Sequence, residues 1–286
     1  QLDIPQTALQ SYNQLAWFDG VSSHIDITQH ADFEFGDGSD DTPFSVSAWV
    51  YMNDISDGFP IVSKYQSSSV REWNFRVNHS DQDLNFFTYD ESENAYIGRK
   101  YDGATMASYV GKWVHLVGTY SGNEENSGFS LYINGEAMDD ADFSGGSYTA
   151  MENNLDGKVY IGKDGSNNKF ANGAITEVSI WSTQLNQTQI NKLYNDGKAF
   201  DATDTFFNQT NLKGYWRNNG ITKWVNLRNP GTHDGSISGM KETMLITPGV
   251  DSSRDSQGFI MNRQRATNSL NLYNPLYLET TTASFK

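Results

Sequence analysis

The 286-residue chain contains no cysteine and only six prolines. Without cysteine it can form no disulfide bond, no thiolate metal site and no cysteine nucleophile, although this absence does not identify a cellular compartment. No apolar run approaches the roughly 18 residues that a membrane-spanning helix needs, so we predict no membrane insertion. A chain of this length buries a sizeable core without covalent cross-links.

Basic residues are also scarce. The 20 lysines and arginines are outnumbered by 35 aspartates and glutamates, which gives a formal net charge of −15. Such a surface repels nucleic acid and anionic lipid, and it suits neutral ligands and divalent cations. We therefore predict no nucleic-acid partner. Aromatic residues make up 13% of the chain; most are expected in the core of a β-rich protein, but exposed Trp and Tyr also bind sugar rings.

Short alternating segments bounded by Gly, Asn or Asp recur along the first two thirds of the chain. In Phe44–Tyr51 both faces of the alternation are suitable for burial, which predicts a central strand. Two short strands are predicted within 15–27, and the spacing of 8–12 residues between later strands is typical of a sandwich. The later predicted strands are Ile61–Lys64, Trp73–Val77, Leu84–Thr88, Tyr96–Lys100, Trp113–Tyr120, Phe129–Ile133, Val159–Gly162 and Ala174–Trp181.

Two local patterns predict a turn and a helix. Asn134-Gly135 tolerates positive φ at both positions, as a type I′ hairpin turn requires. The segment 186–197 predicts one short helix, with Asn186 as N-cap and Gly197 at the left-handed C-terminal position. Its apolar stripe consists of Ile190, Leu193 and Tyr194.

The composition of the chain changes near both ends. Residues 1–14 are polar and are predicted to be an N-terminal arm. Residues 15–240 are predicted to form the sandwich, which the segment 212–239 completes from the C-terminal side. Residues 241–286 are predicted to be an extended C-terminal arm.

Several motifs, in this order, resemble the laminin-G-like, or concanavalin-A-like, jelly-roll domains. This resemblance covers roughly residues 15–197 and implies an all-β, antiparallel jelly-roll β-sandwich with one short helix and extended terminal arms. The motifs are Phe18-Asp-Gly-Val-Ser-Ser-His-Ile-Asp-Ile27, Phe44–Val50, Gly111–Tyr120, Leu131–Glu136, Ile161–Lys163 and Ala174–Trp181.

The chain departs from this family pattern at two places. Thr176 stands just before Glu177 where family members often have Asp. The stretch 212–239 resembles a strand and turn that commonly precede the F-D-G strand, but here it follows the helix, which predicts a permuted strand. This arrangement is similar to virion structural proteins of marine bacteriophages, and it implies a location on a virion or an extracellular or cell surface.

The sequence lacks the signatures of an enzyme, and we predict that it is not one. Glycoside hydrolysis needs two carboxylates about 5–9 Å apart, and jelly-roll hydrolases provide them as E-x-D-x-E on one strand. The nearest pattern here is Asp32-Phe-Glu34, which has no third member. The five histidines form no H-x-H or H-E-x-x-H pair, so the sequence predicts no zinc site.

Calcium is the one cofactor that the resemblance implies. Related jelly rolls often bind Ca²⁺ where the first and last strands meet, and the matching residues here are Asp19 and Glu177. Alternatively, Asp19 only shapes its turn and Glu177 faces solvent. The acidic loops 37–41 and 139–142 are weaker candidates because neither has EF-hand spacing.

We predict a non-catalytic binding module for carbohydrate, displayed for attachment. One alternative is a structural capsid or tail decoration protein that contacts neighbouring virion or surface proteins through its arms, as an oligomer or part of a larger assembly. The other alternative is a jelly-roll glycoside hydrolase. The candidate sugar-stacking residues, each of which could instead belong to the core, are Trp73, Tyr89, Tyr96, Tyr101 and Tyr109.

Overall fold

A computed structural model of the chain describes residues 15–138, 140–153, 156–241 and 245–246. The predicted arm 1–14 and most of the predicted arm 241–286 lie outside the described residues. The strands are β1 (Leu15–Ala16), β2 (Phe18–Asp19), β3 (His24–Ile27), β4 (Phe44–Asp54), β5 (Phe59–Ser67), β6 (Val70–Val77), β7 (Leu84–Asp90), β8 (Ala95–Tyr101), β9 (Trp113–Tyr120), β10 (Phe129–Ile133), β11 (Glu136–Ala137), β12 (Ala141–Asp142), β13 (Val159–Ile161), β14 (Lys163–Asp164), β15 (Lys169–Phe170), β16 (Asn172–Trp181), β17 (Leu212–Trp216), β18 (Ser236–Ser238) and β19 (Leu245–Ile246).

These strands form two large antiparallel sheets that pack face to face. The seven-stranded sheet has the order β11-β10-β9-β4-β16-β17, and β2 also pairs with β16. The eight-stranded sheet has the order β12-β8-β7-β6-β5-β13-β3-β18. The predicted all-β, concanavalin-A-like sandwich is therefore confirmed. Each predicted strand of 44–181 recurs with ends within three residues of the prediction, because the period-two alternation of its side chains specifies which face is buried.

The main core lies between the two sheets. β4 is central, between β9 and β16, and its Phe44, Val46 and Val50 side chains face the core with no exposed surface. Burying each side chain of this size stabilises the fold by about 1.5–3 kcal/mol. A second apolar cluster lies on the outer face of the seven-stranded sheet, where the segment after β16 covers Val117 and Trp181.

The segment after residue 211 adds a strand to each sheet. β17 pairs with β16 at one edge, and β18 pairs with β3 at an edge of the other sheet. β19, which falls in the predicted C-terminal arm, pairs with β1, so that Leu15 lies opposite Ile246. The domain boundary at residue 240 stays a prediction.

The described residues include two α-helices, α1 (Gly103–Ala107) and α2 (Gln187–Tyr194). α2 is the predicted helix and begins with a complete capping box between Asn186 and Gln189. Its left-handed end starts at Asn195 (φ 48°), two residues before the predicted position at Gly197. One-turn α1 has too few residues to show a helical period. No helix in the described ranges is both long and apolar enough to cross a membrane.

Candidate functional site

Trp73 is a core residue and is not available to a surface ligand. Its side chain has no exposed surface, and its ring packs 5.7 Å from that of Phe44. The indole Nε1 donates a hydrogen bond to the main-chain oxygen of Phe33 at 3.1 Å. Trp73 therefore supports the interior, and the prediction that it stacks on a sugar does not agree with its place in the structure.

Tyr89 and Tyr96 belong to an aromatic cluster on the outer face of the eight-stranded sheet. Arg71 Cζ lies 3.9 Å from the centre of the Tyr89 ring, and the Tyr96 ring stacks on Tyr89 at 6.2 Å with an interplanar angle of 13°. Tyr96 in turn contacts Phe143 at 4.8 Å. These rings use their faces for packing with one another. We call this the Tyr89 cluster: Tyr65, Phe87, Tyr89, Tyr96 and Phe143.

Tyr101 lines a small groove at one edge of the same sheet. The groove has a volume of about 290 Å³. Its wall includes an ion pair in which Lys100 Nζ lies 2.9 Å from Asp83 Oδ2. The backbone of α1 is held beside it, because Asp83 Oδ1 accepts a hydrogen bond from the Gly103 amide at 2.7 Å. We call this the Tyr101 groove: Asp83, Lys100, Tyr101, Asp102 and Ala141.

A larger groove lies between the β10–β11 turn and α2. Asn134 and Gly135 have φ values of 52° and 84°, which confirms the predicted type I′ turn. Gln187 Nε2 donates to the Gly135 oxygen at 2.6 Å and so docks the helix on the turn. The volume is about 480 Å³. We call this the turn groove: Asn134, Gly135, Glu136, Ala137, Gln187, Asn191, Tyr194 and Asp196.

Tyr194 forms a rigid aromatic wall of the turn groove. Its half-buried ring stacks on Trp49 at 5.8 Å and 24°, and on His115 at 6.1 Å and 19°. Trp49 and His115 are register partners on β4 and β9 and are buried on the outer face of the seven-stranded sheet. A Cβ at position 135 would lie 3.0 Å from Tyr194 Cδ1, so the turn touches the same ring. We call Trp49, His115 and Tyr194 the Tyr194 stack.

Tyr109 lies in the segment between α1 and β9. Burial raises the pKa of its phenol, and the neighbouring Tyr101, Glu136 and Tyr194 raise it further. Burial likewise raises the pKa of Tyr194, with added contributions from Asp196 and Glu136. Tyr109 is partly buried and packs against the main core. Of the five predicted stacking residues, Tyr101 is the one that lines either groove.

The lining of the turn groove suits a polyhydroxylated ligand. Side-chain amides come from Asn134, Gln187 and Asn191, and carboxylates come from Glu136 and Asp196. Amides both donate and accept hydrogen bonds, carboxylates accept them, and the flat phenol ring offers an apolar surface. Sequence reasoning missed this site because Tyr194 also fits the apolar stripe of α2. The available signal was the i, i+4, i+7 spacing of Gln187, Asn191 and Tyr194, which places them on one helix face.

One carboxylate oxygen of Asp19 is occupied by its own turn. Its Oδ1 accepts hydrogen bonds from the amides of Val21, Ser22 and Ser23, each at 2.9 Å. Burial alone would raise its pKa, but these hydrogen bonds, together with one from the Ser23 hydroxyl, lower it to about 2. Asp19 therefore shapes the turn around Gly20 (φ 74°), as the alternative interpretation states.

Glu177 does not reach Asp19 either. Asp19 lies opposite Asn172, and Glu177 is five residues further along β16, on the order of 15 Å away at strand spacing. Glu177 is buried, not solvent-facing: it accepts a hydrogen bond from the Tyr215 hydroxyl, and Arg217 Nε lies 3.0 Å from its Oε1. The pair does not fit a calcium site. Calcium binding by the chain stays a prediction without an assigned site.

The comparisons with known proteins agree with this architecture. A sequence profile of the concanavalin A-like lectin/glucanases superfamily matches residues 19–191, more than half of the chain. A search of curated protein sequences gives no significant match.

Solved structures with similar folds include a candidate carbohydrate binding protein from Bacteroides ovatus ATCC 8483. It has a TM-score of 0.51 and 17% identity over 82% of this chain and 60% of that one. The binding domain of botulinum neurotoxin serotype D has a TM-score of 0.41 and 20% identity over 64% of this chain and 42% of that one.

Domain 4 of AbnA, an extracellular arabinanase from Geobacillus stearothermophilus seen in complex with arabinotriose, has a TM-score of 0.38 and 20% identity over 55% of this chain and 69% of that one. The chain spans less than two thirds of the length of the first two structures. The matching profile over residues 19–191 places the chain in a family: it belongs to the concanavalin A-like lectin/glucanases superfamily.

Proposed function

We propose that the chain is a non-catalytic carbohydrate-binding module, and that a glycan lies in the turn groove. The main support is the turn groove itself, in which amides and carboxylates surround the rigid ring of Tyr194. A sugar could place its C–H face on that ring while its hydroxyls bond to Asn191 and Glu136. The similar fold of a candidate carbohydrate binding protein supports the same ligand class.

A binding role without catalysis is supported by the state of two buried glutamates, Glu72 and Glu177. Glycosidases need an acid with a raised pKa that reaches the substrate. Burial raises the pKa of Glu72 and of Glu177. However, each is enclosed and paired with a cation, Lys64 for Glu72 and Arg217 for Glu177. Release of reducing sugar from polysaccharides by the purified protein would contradict this part of the proposal.

The test is a glycan array, followed by isothermal titration calorimetry with the best glycan. Glu136→Gln removes one carboxylate charge from the turn groove, and Glu125→Gln is the matched control at an exposed position in a distant turn. We expect Glu136→Gln to weaken binding several-fold, because charge-assisted hydrogen bonds are about twice as strong as neutral ones. Equal affinity of both variants, or no glycan bound by the native chain, would contradict the proposal.

Calcium dependence can be tested in the same assay. Loss of glycan binding in EDTA and its recovery in CaCl₂ would show that the chain requires calcium. We propose that the calcium would then bind at a site other than Asp19 and Glu177. Restoration by ZnCl₂ but not by CaCl₂ would point to a different metal. Glycan affinity unchanged by EDTA would show that the turn groove binds sugar without a metal.

A structural decoration role is a second candidate, and one observation favours it. Leu15 pairs with Ile246, so the segments 1–14 and 247–286 join the sandwich at neighbouring points. Two arms that leave the sandwich at neighbouring points could both attach to a virion or cell surface, and the sandwich would then project away from that surface. Deleting 1–14 would then abolish assembly on the particle and leave glycan affinity unchanged; a loss of glycan affinity would argue against separate roles.

A further inference from the structure

Two imidazoles and a carboxylate meet away from both grooves, where the 3₁₀ helix Ala31–Phe33 approaches the turn before β18. His233 Nε2 lies 3.0 Å from Asp32 Oδ2, and His30 Nδ1 lies 3.3 Å from the same oxygen. The ligand atoms of all three residues lie within 4.8 Å of one another. The cluster joins positions about 200 residues apart, so no local sequence motif reveals it.

Two buried tryptophans hold the two segments of this cluster. Trp73 Nε1 donates to the Phe33 oxygen at 3.1 Å, next to Asp32, and Trp216 Nε1 donates to the His233 oxygen at 2.9 Å. The Phe33 ring also packs against the His233 ring at 5.0 Å with an edge-on angle of 68°. The backbone positions of Asp32 and His233 are therefore set by core residues, which is the support that a metal site needs.

Two of the three donor-atom separations are close to those around a tetrahedral ion. Zinc binds imidazole nitrogen at about 2.0–2.1 Å and carboxylate oxygen at about 2.0–2.2 Å, which puts two ligand atoms on a tetrahedron about 3.3–3.5 Å apart. The observed separations of 3.0 and 3.3 Å are close to that edge. Two imidazoles with a single carboxylate are also a ligand set for zinc and its neighbours, whereas calcium needs six to eight oxygens.

We propose that His30, Asp32 and His233 bind one divalent first-row transition metal ion such as Zn²⁺. The His233 side chain is only 7% exposed, while those of His30 and Asp32 are 51% and 38% exposed. The ion therefore has a buried side and a solvent side, and a water completes the fourth position. The metal links the 3₁₀ helix to the turn before β18 and so stabilises the C-terminal part of the sandwich.

Two neighbours oppose or adjust metal binding. Lys213 Nζ lies 3.7 Å from Asp32 Oδ1, the carboxylate oxygen that faces away from the imidazoles, and its charge weakens the attraction for a cation. The Asp32 amide donates to His30 Nδ1 at 3.1 Å, so the metal replaces this hydrogen bond.

The test is a calorimetric titration of the untagged, metal-free 286-residue chain with ZnCl₂, and with CoCl₂ followed by visible absorption. We expect one zinc ion per chain, a raised melting temperature, and the intense absorption of tetrahedral Co²⁺. His30→Ala, Asp32→Asn and His233→Asn should each weaken zinc binding at least about tenfold, since even loss of an outer-shell partner typically costs tenfold or more. Asn is chosen at 233 because it tolerates the left-handed backbone there (φ 60°).

Two further variants keep the outcome clear. His79→Ala removes a partly exposed histidine from the turn after β6 and should leave zinc binding unchanged. Lys213→Gln should strengthen zinc binding, a gain that misfolding cannot imitate. No saturable zinc binding by the native chain, equal affinity of Asp32→Asn and the native chain, or an equal loss in His79→Ala would each overturn the proposal and leave the cluster as a hydrogen-bonded network without a metal.

Discussion

The Tyr89 cluster and the Tyr194 stack are both aromatic groups on the outer face of a sheet, but they leave different surfaces to solvent. In the Tyr89 cluster, Arg71 lies over the Tyr89 ring and Tyr96 stacks on the same ring. In the Tyr194 stack, buried Trp49 and His115 support the ring of Tyr194, which also lines a groove.

This difference shows that aromatic content alone does not identify a binding site. The Tyr89 cluster is surrounded by strands and by a bidentate ion pair between Arg71 and Glu91, with both bonds at 2.8 Å. The Tyr194 ring adjoins a helix face and a turn that contribute amides. The Tyr194 stack differs from the Tyr89 cluster because polar side chains lie next to its ring. Four experiments test whether the two aromatic groups differ in function.

The largest effect is expected for Trp49→Ala. Trp49 is 2% exposed and supports both His115 and Tyr194. Truncation should lower the free energy of unfolding by roughly 3–5 kcal/mol and also abolish glycan binding, because Tyr194 loses its support. Urea denaturation followed by circular dichroism measures the first effect. Trp49→Phe is the control and should retain most of the stability and most of the glycan binding. Full glycan binding by Trp49→Ala would contradict a role of the Tyr194 stack in binding.

Tyr89→Ala should affect stability and leave binding intact. The variant removes a 6% exposed ring together with its contacts to Arg71 and Tyr96. We expect a loss of roughly 2–3 kcal/mol in the free energy of unfolding. Glycan affinity, measured by calorimetry at a temperature where the variant is folded, should equal that of the native chain. Weaker glycan binding by the folded variant would assign a ligand role to the Tyr89 cluster.

The Tyr194 stack should also make stability sensitive to mild acid. Complete burial lowers the pKa of His115 to about 3, whereas an unfolded histidine titrates near 6.5. Between these values the unfolded state binds the extra proton, so the stability present above pH 6.5 is lost as the pH falls. We expect a loss of about 2 kcal/mol between pH 6.5 and 5.

The control for this pH effect is His115→Gln, which cannot titrate and still offers a polar group to Ser47, whose Oγ lies 2.8 Å from His115 Nε2. Its free energy of unfolding should change less between pH 6.5 and 5 than that of the native chain. Tyr89→Phe should keep the native slope. An identical slope in His115→Gln would mean that another group produces the effect.

The smallest effect is expected for Asn191→Ala. Asn191 lies on the groove side of α2, where it accepts a hydrogen bond from Gln187 Nε2 at 2.7 Å. Its loss should weaken glycan binding by about 1 kcal/mol and change stability by less than about 0.5 kcal/mol. Thr188→Ala, at an exposed position on the same helix, is the control. Equal glycan affinity of the two variants would place the ligand elsewhere.

The sequence predicts much of the fold because strand alternation and turn chemistry are local. β10 has the predicted bounds Phe129–Ile133, and the Asn134-Gly135 turn has the predicted conformation. The resemblance of 212–239 to a family strand predicted a strand added from the C-terminal side, but its pairing with β16 is known only from the structure. α1 was missed, since its single turn has no period.

The sites were harder to predict because they depend on contacts between distant segments. Trp73 and Tyr101 both stand in strand patterns, and only the packing shows that Trp73 is enclosed while Tyr101 lines a groove. His30 and His233 form no sequence motif, yet the fold brings both to Asp32. Glu177 matches a family position, but the bulge in β16 turns it towards Arg217.

The segment that provides β17 and β18 also covers sheet edges that could otherwise pair with another copy of the chain. β16 and β3 would be open edges without these two strands, because each pairs with one of them on that side. Unpaired edges present rows of free amides and carbonyls that invite intermolecular pairing and aggregation. A chain shortened at residue 198 would expose one such edge in each sheet, so we expect it to aggregate more readily than the full chain.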